Sequence, residues 1–273
     1  MNVSATTSTE TVRSRDGTTI AFSRAGDGPA LIAVDGAIGH RSLNPAGAPL
    51  TSLLAPRFTA ITYDRRGRGE SGDTAPYSPE REIEDLQALI TEVGGSAFVY
   101  GISSGAVLAL DAAARTIGIT KLALYESPFI VDDGRPPLPN DYVQRLNELV
   151  SKGRRGDAVE VFMTNAVGLP AEMVGQMRNA PMWPALEAVA HTIAYDGTVM
   201  GDTMSGKPLP TKRWAAVTIP TLVMDGGESA AWQKNGVRAL VAMLPQAKRR
   251  TLDGQTHDVD PNALAPVLKE FFL

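Results

Sequence analysis

Residues 97–108 read AFVYGISSGAVL: a short apolar run, the pentapeptide Gly101-Ile102-Ser103-Ser104-Gly105, and then a run of small helix formers. A strand that turns sharply into a helix crowds its own backbone, and glycine on each side of the turn relieves that crowding because it carries no Cβ. The residue at the apex then projects away from both elements, so G-x-S-x-G predicts an exposed serine hydroxyl between a buried strand and a helix. Ser103 is therefore the candidate nucleophile. Small residues also fill ordinary loops, so the pentapeptide acquires its weight from what surrounds it.

Those surroundings alternate strands with helices. Glu10–Arg15 and Thr18–Arg24 flank the turn dipeptide Asp16-Gly17 and predict a two-residue hairpin of antiparallel edge strands after a flexible start. Ala30–Val34 and Thr59–Tyr63 read as buried strands, and Glu80–Val93 as a helix with Ile83, Leu86, Leu89 and Ile90 on one face. Ala97–Tyr100 enters the serine turn, Ser104–Thr116 leaves it as a helix, and Lys121–Tyr125 is a further strand. Between Pro128 and Lys212 the strand rhythm stops, and helices are expected at Asp141–Lys152, Asp157–Val167, Ala171–Asn179 and Ala185–Tyr195, a candidate lid. Strands return at Thr221–Met224 and Arg249–Leu252, with helices near Ala230–Leu244 and from about Asn262 to Phe272. The expected organisation is a core over 1–131, a helical lid over 132–213, and the rest of the core over 214–273. Such alternation predicts an α/β fold with a mostly parallel, doubly wound sheet, whose ligands sit at the carboxyl ends of the strands.

Composition removes several functions. With 273 residues, 43% of them hydrophobic, the chain can bury a large core, and a net charge of −4 offers no broad basic surface for nucleic acid or anionic membrane. A small-molecule substrate fits better, and a homodimer is compatible with it. The absence of cysteine excludes disulfides, thiol nucleophiles and thiolate metal sites. The polar N-terminus has no apolar signal core and no later stretch is long enough to span a membrane, which predicts a cytoplasmic protein. No cofactor or metal is expected.

With the elements in this order, three segments resemble the α/β-hydrolase superfamily across nearly the whole chain. Tyr63–Ser71 (YDRRGRGES) resembles its loop after the fourth strand, Gly101–Gly105 its nucleophile elbow, and Gly254-Gln255-Thr256-His257 its histidine loop. The arginine-rich loop is expected to be a structural turn with solvated charges and no catalytic part.

A serine hydroxyl needs a base that takes its proton and later returns it to a leaving group, a task suited to histidine near neutrality. Of the three histidines, His257 holds the position that the resemblance assigns to the base; His40 is expected to border the pocket, and His191 to be a surface or packing residue of the lid. A carboxylate must orient the base. The usual place, after Thr221–Met224, reads Asp225-Gly226-Gly227-Glu228 without an aspartate in the expected slot, so Glu228 and Asp225 remain alternatives. The segment Tyr125-Glu126-Ser127-Pro128 resembles a second arrangement, that of zearalenone-type lactone hydrolases, which implies Glu126 as the acid; the double serine and the Asp35-Gly36 loop are also similar to theirs. The resemblance implies an oxyanion hole from the N–H groups of Ser104 and Ala37, or Gly36 in place of Ala37. Asp35 should then turn away from the developing negative charge.

Six of the nine methionines, Met163, Met173, Met177, Met182, Met200 and Met204, fall in the expected lid together with Phe162 and Trp183. They suit either an adaptable apolar pocket or packing between lid helices. Ile38, Phe129, Met163 and Trp183 are expected to line a pocket for a bulky, uncharged substrate. The expected activity is cleavage of a carboxylic ester or lactone through an acyl-enzyme. C–C bond hydrolysis and cofactor-free perhydrolase or haloperoxidase chemistry use the same residues, and a non-catalytic ligand receptor uses the fold alone.

Overall fold

A computed structural model describes residues 8–273; the residues before Ser8, part of the lead-in read as flexible and lacking a signal, lie outside it. The chain runs β1 (Glu10–Arg13), β2 (Thr19–Ala25), β3 (Ala30–Val34), α1 (Gly47–Leu54), β4 (Thr59–Tyr63), α2 (Pro79–Glu92), β5 (Ala97–Ile102), α3 (Ser104–Ala113) and β6 (Ile119–Tyr125). Five helices follow before the next strand: α4 (Tyr142–Ser151), α5 (Arg155–Val161), α6 (Ala171–Met177), α7 (Trp183–Ala188) and α8 (Ile193–Met200). A π-helical turn, Phe162–Val167, continues α5, and a 3-10 turn, Ala190–Thr192, leads into α8. The chain closes with β7 (Thr221–Gly226), α9 (Ala231–Met243), β8 (Ala247–Leu252) and α10 (Pro261–Phe272).

The eight strands form one sheet in the order β1-β2-β4-β3-β5-β6-β7-β8, antiparallel at β1/β2 and β2/β4 and parallel elsewhere. This is the α/β architecture expected of the sequence. Because side chains alternate across a strand, each strand serves two layers. Ile32, Ile61, Val99 and Val223 pack under α2, α3 and α9, whereas Leu31, Ala60, Tyr100 and Leu222 face the layer of α1 and α10. The inserted helices have a core of their own, built on Leu146, Val159, Val174, Trp183 and Ile193.

The topology also places the site. From β3 the chain steps to β4 on one side, then returns to β5 on the other, so the connections diverge between the carboxyl ends of β3 and β5. A crevice opens at such a switch point. Asp35-Gly36 follows β3 and Ser103 follows β5.

Local differences from the sequence reading have local causes. The first hairpin closes over Ser14–Thr18 instead of two residues, because Asp16 Oδ1 accepts the Thr18 N–H at 3.0 Å and shapes a longer turn. Only β1 is an edge strand on that side, since β2 also pairs with β4. Helix α1 was not foreseen in a stretch rich in proline and glycine; its Pro49 lies in the first turn, where no backbone N–H is needed.

Candidate active site

Ser103 stands between β5 and α3 with φ 57° and ψ −130°. That conformation is costly for a residue with a Cβ and persists only where its surroundings impose it. Tight packing does so here. A Cβ on Gly101 would lie 2.7 Å from Ala106 Cα, and one on Gly105 would lie 2.3 Å from the Asp35 carbonyl oxygen, so both glycines admit backbone where a side chain would collide. The Ser103 N–H donates to the Tyr125 carbonyl at 2.9 Å, which ties the turn to the neighbouring strand.

One strand away, Glu126 follows β6 with φ 44° and is fully buried. Its Oε1 accepts the Gly226 N–H at 2.8 Å; its Oε2 accepts Gln233 Nε2 at 3.0 Å and lies 2.9 Å from His257 Nδ1. Burial opposes the charge of this carboxyl, but the hydrogen bonds, that of His257 foremost, outweigh it and hold the group below the ordinary glutamate range. An ionised carboxylate only accepts, so Nδ1 carries the proton of this contact and Nε2 is the ring nitrogen left free of it. The ring is half-exposed, and the Tyr125 hydroxyl holds its loop by donating to the Thr256 carbonyl at 2.5 Å. The other two carboxylates are elsewhere. Asp225 is buried against Arg249 and Thr251 on β8, and Glu228 is exposed.

The loop after β3 passes directly over Ser103. A Cβ on Gly36 would come within 2.9 Å of Ser103 Cβ, and among the described residues no protein acceptor takes the N–H of Gly36 or Ala37. The N–H of Ser104, at the first position of α3, has no partner within the helix. Asp35 is turned aside, as the sequence reading required: its Oδ1 accepts Asn44 Nδ2 at 2.6 Å, and burial pushes its carboxyl up to about 6. Ser103, His257, Gly36 and Ala37 all border one cavity of about 780 Å³, large enough for a drug-sized molecule. Among the described residues no hydrogen bond joins Ser103 Oγ to the imidazole, a contact that commonly tightens only when substrate is bound.

The model of the alpha/beta hydrolase family matches residues 38–267. The chain belongs to the alpha/beta hydrolase family. It is similar to an alpha/beta hydrolase from Sphaerobacter thermophilus DSM 20745, whose crystal structure superposes with a TM-score of 0.88 at 56% identity, over 97% of this chain and 100% of that one. The uncharacterized hydrolase YraK of Bacillus subtilis (strain 168) is 32% identical over 103 residues, 36% of this chain and only 37% of that protein's length. The enol-lactonase of Burkholderia xenovorans LB400 shares the fold, with a TM-score of 0.70 at 20% identity over 96% of this chain and 99% of that one.

In this alpha/beta hydrolase the pocket expectations divide. Ile38, Met163, Met182, Met200, Met204 and Phe162 border the cavity. Phe129 does not: it is fully buried beside Trp214, ring centroids 5.5 Å apart, in the layer under the sheet. Trp183 does not either, because it packs in the core of the inserted helices and its Nε1–H donates to Glu187 at 2.9 Å. Met177 packs against that core and Met173 is exposed. His40 faces Ser42 and lies off the cavity wall, while His191 is partly buried 3.5 Å from Asp73.

The arginine loop overturns its expectation most clearly, for its charges are buried and not solvated. Arg65 donates to both oxygens of Glu82 and to Asp196 Oδ1, each at 2.7 Å. Arg66 is held by Asp85 and Asp16, and Arg68 by Asp196 Oδ2 at 2.5 Å. Arg68 also donates to the carbonyls of Gly36 and Gly39, at 2.7 and 3.3 Å, so it braces the loop over Ser103. Asp196, from α8, completes the cluster by accepting the Ser104 hydroxyl at 2.7 Å. Sequence reasoning missed this residue and Gln233. A lone carboxylate within the apolar run Ile193–Met200 was the available signal, since buried charge demands a partner; Gln233 offered none.

Proposed function

We propose that this alpha/beta hydrolase cleaves a carboxylic ester or lactone of a bulky apolar molecule, with Ser103 as nucleophile, His257 as proton carrier and Glu126 as the group that orients it. The observation that supports this reading most strongly is the 2.9 Å contact between Glu126 Oε2 and His257 Nδ1, made beside a cavity that also exposes the strained Ser103.

Ser103 Oγ attacks the scissile carbonyl as its proton passes to His257 Nε2. The resulting imidazolium is stabilised by the carboxylate at its other nitrogen, and the tetrahedral oxyanion is received by the N–H of Ser104 together with that of Gly36 or Ala37. Collapse breaks the C–O bond of the leaving alkoxide, which takes the proton from Nε2. Water then attacks the acyl-enzyme, gives one proton to Nε2, and releases the acid as Ser103 recovers its proton. Asp35 stays outside this sequence because its carboxyl faces Asn44.

Hydrolysis of p-nitrophenyl esters and of aryl-fused lactones by the wild type and by Ser103→Ala tests the proposal, with mass spectrometry locating an alkyl fluorophosphonate adduct. Turnover should vanish in the variant and the adduct should map to Ser103. Undiminished turnover by Ser103→Ala, or labelling at another residue, defeats the assignment.

A further inference from the structure

The cavity reaches past the nucleophile in a direction that the inserted helices do not cover. Its walls there are Ala33 of β3, Ala60 and Thr62 of β4 and Tyr100 of β5, faced by Leu54 of α1 and Leu264 of α10. On each strand these are the positions that look into the layer of α1 and α10, so the space is a second arm running between sheet and helices. The arm is an exception in its layer. Phe58, Phe98 and Phe272 fill the neighbouring part with edge-on and stacked rings, whereas alanine at 33 and 60 leaves open a volume that protein interiors ordinarily close.

Two further features point inward. Tyr100 is only 3% exposed, and its hydroxyl has no hydrogen-bond partner among the described residues although it is not sealed off as those of Tyr63 and Ser127 are. Asp35, whose second oxygen takes no protein donor among the described residues, borders the same cavity. Apart from the Thr62 hydroxyl, the rest of the wall is aliphatic. Because α1 and α10 pack on each other and on the sheet, these walls have little freedom to spread. The opposite wall is unlike it, built from Phe162, Met163 and Met182, whose flexible thioethers adapt to shape.

We propose that this arm is a subsite for an unbranched aliphatic chain attached to the scissile carboxyl group, so that the substrate is asymmetric: a bulky half under the inserted helices, and a slender half threaded between the sheet and α1. The inference rests on the ester-hydrolase reading and adds a chain-length preference to it. The chain belongs either to the acyl half or to the alkoxy half, and the two sources give different results in one experiment.

That experiment compares the wild type with Ala60→Leu and Ala33→Leu, narrowing variants on two different strands, using p-nitrophenyl esters from acetate to octanoate and alkyl acetates from methyl to octyl. Wild-type kcat/KM should rise with length in one of the two series, which identifies the half that enters the arm. In both variants the ratio of the longest to the shortest member of that series should fall by about tenfold or more, the equivalent of losing burial of about two methylenes. Thermal unfolding checks that each variant is folded, and xenon-pressurised wild-type crystals report on the arm independently of turnover, since dry apolar cavities take up xenon. Unchanged ratios in folded variants, or no xenon in the arm, overturn the subsite. Xenon in the arm with no ester hydrolysed by the wild type overturns instead the ester reading on which the subsite rests.

Discussion

Two buried carboxylates flank Ser103, and they are tied down in opposite ways. Glu126 contacts the half-exposed ring of His257, the proton carrier of the proposed mechanism. Asp196 is clasped by Arg65 and Arg68, guanidiniums being charged at ordinary pH, and it holds the hydroxyl of Ser104, the residue after Ser103. Burial opposes the charge on Asp196 too, but the two arginines outweigh it and keep its carboxyl below the ordinary range. The same functional group thus does two jobs. An imidazole partner makes it part of the proposed proton path, and a guanidinium pair makes it a fixed post that joins α8, the arginine loop and the start of α3.

The contrast breaks most visibly at Glu126. Glu126→Gln keeps the shape but can no longer stabilise an imidazolium, and kcat on a p-nitrophenyl ester should fall by roughly 10⁴, with a smaller loss of thermal midpoint than Asp196→Asn shows. Asp196→Asn should do the reverse in emphasis. It leaves two buried guanidiniums without their shared anion, and urea unfolding should register a loss of roughly 3–5 kcal/mol, as expected when one partner of a buried pair is removed. A loss of turnover with unchanged stability in Asp196→Asn would erase the distinction.

Acid titration sharpens the same comparison. Because the folded Asp196 and Glu126 bind their protons less readily than they would unfolded, their contributions are complete above the ordinary carboxylate range and are lost as pH falls through their lowered folded values. Asp196→Asn should therefore flatten the fall in thermal midpoint on acidification below about pH 4, a range set by the reference aspartate pKa. An identical acid slope in variant and wild type would show that Asp196 does not titrate in this way.

Smaller effects separate the two posts further. Ser104→Ala deletes one hydrogen bond to a charged acceptor and should cost about 1.5–3 kcal/mol in urea unfolding, with a drop in kcat through the displaced N–H of residue 104. Glu228→Ala, at an exposed side chain with no hydrogen-bond partner among the described residues, should stay within about 0.5 kcal/mol of the wild type and keep its kcat. Loss of activity there would move the orienting acid away from Glu126.

Much of this site was legible because it follows strand ends. Gly101–Gly105, Tyr125-Glu126 and Gly254–His257 each lie at or just after the carboxyl end of a strand, and a parallel sheet brings such ends to one edge. The arginine loop was misread because a guanidinium is ordinarily a surface group. What buries it is a set of acids from distant places: Glu82 and Asp85 on α2, Asp16 in the first hairpin, and Asp196, 131 positions beyond Arg65. The pocket was misread for a related reason. Phe129 and Trp183 are as apolar as Phe162 and Met163, and hydrophobicity does not say which side of an element a ring faces.

By itself the amino-acid order determined what acts through the bonded neighbourhood: which segments become strands and helices, and where glycine permits the turn that lifts Ser103. Tertiary structure alone decided partnership: that His257 meets Glu126 and not Asp225 or Glu228, that Asp196 accepts the hydroxyl of Ser104, and that Ala33 and Ala60 border the cavity that Ser103 also faces. The physical reason is range. Backbone sterics and periodic burial are written within a few residues, whereas the pairing of buried charges and the filling of space depend on which surfaces meet once the sheet has closed.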